Sequence, residues 1–106
     1  MKQPVISFRV IGKSGPLSFY WSGGPYGDAL ESKEGNGVIW LSGNGELLGV
    51  EFDDVNKEND HQRISIPGGN SMEVDVKGGT INFALKKSKT TTIPTNKKLL
   101  KQKTTN

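Results

Sequence analysis

The chain of 106 residues has no cysteine, one histidine and only two arginines. Without cysteine there is no disulfide framework, no thiolate nucleophile and no cysteine-ligated zinc. With His61 as the only histidine, a Ser-His-Asp triad or a histidine-rich metal centre is hard to build. No apolar run approaches the roughly 20 residues needed to span a bilayer. The opening Met1-Lys2-Gln3-Pro4 lacks the long apolar segment of a signal peptide. The expected location is therefore the cytoplasm. No apolar pattern keeps the 3.6-residue period over ten residues, so no long helix is predicted.

What is present is glycine and unevenly placed charge. Fourteen glycines favour many turns and hence many short strands. The net charge of +3 conceals a split. Residues 1–85 carry seven Lys or Arg against all eleven acids, a net of −4. Residues 86–106 carry seven lysines and no acid, a net of +7. Such asymmetry predicts a folded body, residues 1–85, with an appended basic tail, residues 86–106. The tail is Lys-, Thr- and Asn-rich with few large apolar residues. Its sequence predicts disorder, because burial cannot offset the entropy of ordering it.

Glycine punctuation divides the body into strands. Val5–Ile11 is rich in β-branched and aromatic residues and stops at Gly12. Leu17–Trp21 follows the Gly15-Pro16 turn. Ser22–Gly37 reads mostly as loop, with at best a helical turn near Asp28–Lys33. Val38–Leu41 and Leu47–Phe52 flank Gly43-Asn44-Gly45, a hairpin signal that predicts a two-residue turn with positive φ at Asn44. In the second of these strands the two-residue period places Leu48, Val50 and Phe52 on the core face. It turns Leu47, Gly49, Glu51 and Asp53 the other way. Asp53–His61 reads as a polar connection and Arg63–Ile66 as a short strand. Ser71–Leu85 reads as a second hairpin turning at Gly78-Gly79. Phe8, Phe19, Trp21, Trp40, Phe52 and Phe83 are the expected aromatic core. The predicted fold is all-β, with six or seven short antiparallel strands in a meander, small barrel or sandwich.

Leu17–Val55 resembles a small bacterial family, number 2283 among the domains of unknown function. Gly45, Gly49, Val50, Glu51, Phe52 and Asp54 carry the resemblance. They fit that family's turn, its Gly-Val-Glu-Ile type strand and its short acidic ending. The family's usual Tyr-Asp and Ala-Asp opening is absent here, and the strands after His61 lie outside the match. The resemblance implies a small β-rich fold and no established catalytic activity. Members are similar to proteins of mobile elements and prophages, and some look like partners of small RNase-type toxins.

Residue chemistry adds little that is specific. Glu51 has no histidine or second acid fixed beside it by sequence position, so it is expected to be structural or contact-forming. The acid-rich Asp53–His61 stretch lacks both the glycine and the spacing of a calcium loop. Ser22–Gly27 lacks the Gly-Lys-Ser/Thr ending of a phosphate loop. No catalytic residue, no metal ligand and no cofactor is expected.

The expected function is therefore a non-enzymatic protein-binding module, an inhibitor or neutralising partner of a basic protein such as an RNase or nuclease in a bacterial or phage setting. Tyr26, Asp28, Glu31, Glu34, Glu51, Asp53 and Asp54 are the candidate contact residues, since complementary charge speeds association and sharpens specificity. The alternative is a nucleic-acid-associated protein. It would grip the phosphate backbone non-specifically through Lys86, Lys87, Lys89, Lys97, Lys98, Lys101 and Lys103.

Overall fold

The computed structural model describes residues 3–87. They form eight strands: β1 (Val5–Phe8), β2 (Ser14–Tyr20), β3 (Asp28–Glu31), β4 (Gly37–Leu41), β5 (Leu47–Asn56), β6 (Asn59–Ile66), β7 (Asn70–Lys77) and β8 (Thr80–Lys86). All pairings are antiparallel. They make a five-stranded sheet of order β1-β2-β5-β4-β3 and a three-stranded sheet of order β6-β7-β8. The all-β fold expected from the sequence is observed, with eight strands in place of six or seven.

Two of the differences have clear causes. Asp28–Glu31, expected as at best a helical turn, is strand β3, because Ala29 pairs with Trp40 and Leu30 with Ile39. Long-range pairing overrides so weak a local preference. Asp53–His61, expected as a polar connection, is the end of β5 and the start of β6, with only Lys57 and Glu58 between the strands. Val55 is fully buried there, which anchors the polar run in the sandwich. The Asn56 carboxamide oxygen accepts the backbone N–H of Glu58 (2.8 Å) and of Asn59 (3.2 Å), shaping the corner where the chain leaves one sheet for the other.

The sheets pack face to face over a shared core. Leu17, Phe19, Ile39, Val50, Phe52 and Val55 of the larger sheet meet Ile64, Ile66, Met72, Val74 and Val76 of the smaller. The rings of Phe19 and Phe83 lie 4.8 Å apart between the layers. A side chain at Gly37 would overlap the Glu51 carbonyl oxygen and Ile64 Cδ1, so glycine there lets the layers close. The expected alternation of Met72, Val74 and Val76 with polar residues holds, as does the hairpin joining β7 to β8.

Strand β5 departs from simple alternation. Its register slips opposite Trp40 and Leu41, and again opposite Gly15 and Leu17. Each slip is an extra residue on β5, a bulge that reverses the face taken by the residues beyond it. Leu47, expected to face outward, packs against the core as a result, while Leu48 takes the bulged position. The second bulge, at Asp53 and Asp54, exposes both acids and returns Val55 to the interior. The β4–β5 hairpin forms as expected, but its turn bond runs from Gly45 N–H to Ser42 C=O (2.9 Å). Gly43 and Asn44 are therefore its central residues, and the left-handed position belongs to Gly45, at φ 83°. This is the glycine-ended, three-residue kind of hairpin loop, not the two-residue Asn-Gly turn.

Of the six expected core aromatics, Phe19 and Phe52 are fully buried, and Phe8, Trp21 and Phe83 pack partly buried against the core. Trp40 is the exception. With Ile39 directed inward, the next residue must point outward, onto the far face of the larger sheet.

Candidate functional site

Direct cross-strand partners share a face, so the register assembles the outer surface of the five-stranded sheet residue by residue. One row runs Val5, Tyr20, Gly49, Trp40, Ala29. The row beside it runs Ser7, Ser18, Glu51, Val38, Glu31. The first is apolar and aromatic; the second carries two carboxylates. None of these ten residues is Lys or Arg. Asp53 follows Glu51 along β5 and is exposed.

Gly49 separates the two aromatics. A Cβ at this position would meet Tyr20 Cδ1 at 2.7 Å, so the tyrosine ring lies over the glycine. With neighbouring strands about 4.8 Å apart, Tyr20 and Trp40 stand on backbones about 10 Å apart. The Tyr20 hydroxyl donates to the Glu51 carboxylate. Burial and this bond, reinforced by the carboxylate charge, push the Tyr20 phenol above the usual tyrosine range, against a smaller opposing effect of Ser18. Glu51 is half-buried, where the sequence placed it at or near solvent. The Trp40 indole N–H is buried and finds no acceptor among the described residues.

The other candidate contact residues do not all join this face. Tyr26 is 60% exposed in the loop before β3. Asp28 and Glu31 sit at the two ends of β3, both exposed, but Asp28 pairs with the core-packed Leu41 and so lies on the inward side with Leu30. Asp54 is exposed in the bulge. Glu34 points elsewhere, pairing with Arg63 of the smaller sheet at 3.2 Å. Among the candidate lysines, Lys86 ends β8 and pairs with Glu73 at 3.1 Å, and Lys87 is exposed. Lys89, Lys97, Lys98, Lys101 and Lys103 lie outside the described residues, as does most of the predicted tail.

The outer face of the three-stranded sheet differs in kind. His61 stands opposite Asp75, and Arg63 opposite Glu73. Lys77 and Lys86 reach Asp75 and Glu73. Each acid there meets a basic group, and no aromatic residue is present in these positions. His61, expected in a loop, lies on β6 and remains exposed, 3.5 Å from Asp75.

Asp60, at the β5–β6 corner, is committed to structure. Asp60 Oδ2 accepts the Asn56 backbone N–H (2.9 Å) and Gln62 Nε2 (3.0 Å). Its Oδ1 accepts the His61 N–H (2.7 Å). Partial burial works against the charge, but these hydrogen bonds outweigh it and hold the Asp60 carboxyl below the usual range.

Sequence reasoning named Glu31, Glu51 and Asp53 for this face but missed its aromatic half. The signal was available: Phe19 and Ile39 facing inward oblige Tyr20 and Trp40 to face outward. A scan of known family models finds none that matches the chain, and no curated protein and no solved structure matches it either. Among the described residues no helix is long and apolar enough to cross a membrane.

Proposed function

We propose that this chain is a non-enzymatic module that binds and neutralises a basic protein, an RNase or nuclease of a bacterial or phage setting being the expected target. One observation carries the reading: on the outer face of the five-stranded sheet, the Tyr20–Trp40 row lies directly beside the Glu31–Glu51 row, with no basic side chain among them. Aromatic faces attract the cations of Lys and Arg, and carboxylates pair with them. Apolar contact surface supplies affinity, while uncompensated acids speed encounter with a positively charged partner. The opposite face, with its acids already paired, offers no comparable excess charge. The resemblance to family 2283 points the same way, since it implies partners and no chemistry. The alternative, phosphate-backbone binding through Lys86, Lys87 and the lysines beyond, gains nothing from a face whose acids repel phosphate.

The test is capture of partners by the full chain and by a Trp40→Ala, Glu31→Gln, Asp53→Asn variant, followed by association kinetics with the captured protein. A basic partner lost by the variant, with an on-rate that falls steeply as salt rises, is the expected result. A partner held equally by the variant would sink the assignment of this face.

A further inference from the structure

We infer that the free edge of β3 accepts an extended, basic peptide segment by strand addition, and that one apolar side chain of that segment enters the cleft between β3 and the β6–β7 turn. This deepens the proposed function, on which the basic character of the occupant rests.

The edge is open. β3 ends the sheet order and has β4 on one side only. Ser32 N–H donates to Gly37 C=O (3.0 Å) in the same register as the ladder. In an antiparallel ladder such bonds recur at every second residue, so Leu30 and Asp28 turn their backbone groups towards β4. Ala29 and Glu31 turn theirs away, and those groups have no hydrogen-bond partner among the described residues. Two N–H and two C=O groups thus face outward from an exposed strand. The edge of β6 nearby is treated differently. The Ser32–Asn36 loop lies along it, with Ser65 N–H donating to Glu34 C=O (2.9 Å) and Glu34 N–H to Ser65 Oγ (3.0 Å).

Beside the open edge is a cleft of about 560 Å³. Leu30, Ile39 and Ile66 give it an apolar lining beside the β6–β7 turn, and the two bases that line it, Lys33 and Arg63, are matched in number by Glu31 and Glu34. Leu30 pairs with the fully buried Ile39, so it points inward, yet it remains 45% exposed. A strand laid along β3 would place its own inward residue beside Leu30, over this lining. Strand addition combines those two elements: backbone bonds give affinity, and a pocket for alternate side chains gives specificity.

Charge selects the occupant. The edge reads Asp28-Ala29-Leu30-Glu31, an acid at each end of two apolar residues. Acids on a short edge strand oppose pairing with a second copy, which would bring the same acids against them. They favour a segment with Lys or Arg flanking a short β-branched or apolar core.

The experiment uses the full chain and a synthetic peptide, Lys-Thr-Val-Thr-Val-Lys, with hydrogen exchange read at Ala29 and Glu31. In the free chain at low concentration both amides should exchange as open edge groups. With peptide at about ten times its Kd, both should slow about tenfold. The peptide with glutamate in place of lysine, and the peptide N-methylated at alternate residues, should leave the rates unchanged. Ala29→Pro removes an outward N–H without touching the ladder and should abolish protection at Glu31. No slowing with the basic peptide overturns the inference, as does equal slowing with the acidic or N-methylated peptide. Protection already present without peptide also overturns it: the edge is then covered by a second copy if dilution removes the protection, and by the chain's own lysine-rich segment if it does not. The variant Trp40→Ala, Asp53→Asn, which leaves both edge acids in place, separates the two readings. Loss of the captured protein with peptide protection at Ala29 intact supports both readings, whereas capture unchanged with protection intact removes the outer-face reading and keeps the edge.

Discussion

Tyr20 and Glu51 meet one step off the direct register: the phenol stands opposite Gly49, Glu51 stands opposite Ser18, and the hydroxyl reaches diagonally across the β2–β5 ladder to the carboxylate. The contact ties the aromatic row to the acidic row. It also gives Glu51 a structural duty inside the apolar run from Leu47 to Phe52.

This pair should couple energetically. Hydrogen bonds to charged groups contribute about 1.5–3 kcal/mol, and neutral ones about half that. Glu51→Gln should therefore lose about 1 kcal/mol, and Tyr20→Phe, which removes the bond outright, about 1.5–3 kcal/mol. The double variant should lose less than the two singles summed, with a coupling of roughly 1 kcal/mol in urea unfolding. Strict additivity would show that the bond contributes nothing.

Phenol ionisation should report the same contact. In a Tyr26→Phe chain, Tyr20 is the remaining tyrosine. Ultraviolet titration should place its ionisation above the ordinary value of about 10. Because the folded value is raised, the associated stability is complete below about pH 10 and is lost as pH climbs through the folded value. Glu51→Gln should bring the ionisation down. No movement would mean that burial alone sets it.

Asp60 predicts the opposite pH behaviour. Its folded value is depressed, so its contribution is present above the unfolded value of about 3.9 and is lost as pH falls through the folded one. Asp60→Ala should cost about 1–3 kcal/mol near neutrality by orphaning the Asn56 and His61 N–H groups and leaving the Gln62 amide with the Asp54 carbonyl alone. Urea midpoints measured from neutral to strongly acid pH should converge for the variant and the parent. Parallel curves would remove Asp60 from the acid response.

Gly37→Ala should be among the most damaging single-methyl changes in the protein. The new Cβ meets a backbone carbonyl on β5 and a core isoleucine on β6, and neither can move away cheaply. The expected loss lies at the upper end of about 1–3 kcal/mol. Gly43→Ala, which meets nothing, serves as the control in thermal unfolding. Equal losses at the two positions would contradict so close a spacing of the layers at Gly37.

Much of the fold was legible because two-residue alternation is strong wherever one face is buried. Met72, Val74 and Val76, or Phe19 between Ser18 and Tyr20, could hardly be read another way. What was not legible depended on partners distant in sequence. Asp28-Ala29-Leu30-Glu31 has no strand signal of its own and is extended because β4 lies beside it. The two bulges of β5 arise from pairing on both sides at once, so no pattern in Leu47–Asn56 announces that Leu47 turns inward or that Val55 rejoins the core. The site was half visible for the same reason. Exposed acids are conspicuous in a sequence, whereas Trp40 looks like core until the direction of Ile39 is known.

The division of the chain at the β5–β6 corner has a kinetic consequence. The three-stranded sheet is a meander in which every strand pairs with its immediate successor, so its ladders close over short spans of chain. The larger sheet cannot finish that way. Leu17 must find Phe52 across the whole stretch that also contains β3 and β4. Closing that long loop forfeits chain entropy before its contacts give anything back. The β2–β5 junction, and not the three-stranded meander, is thus where the barrier to folding should lie. Substitutions at Leu17 or Phe52 should therefore slow folding.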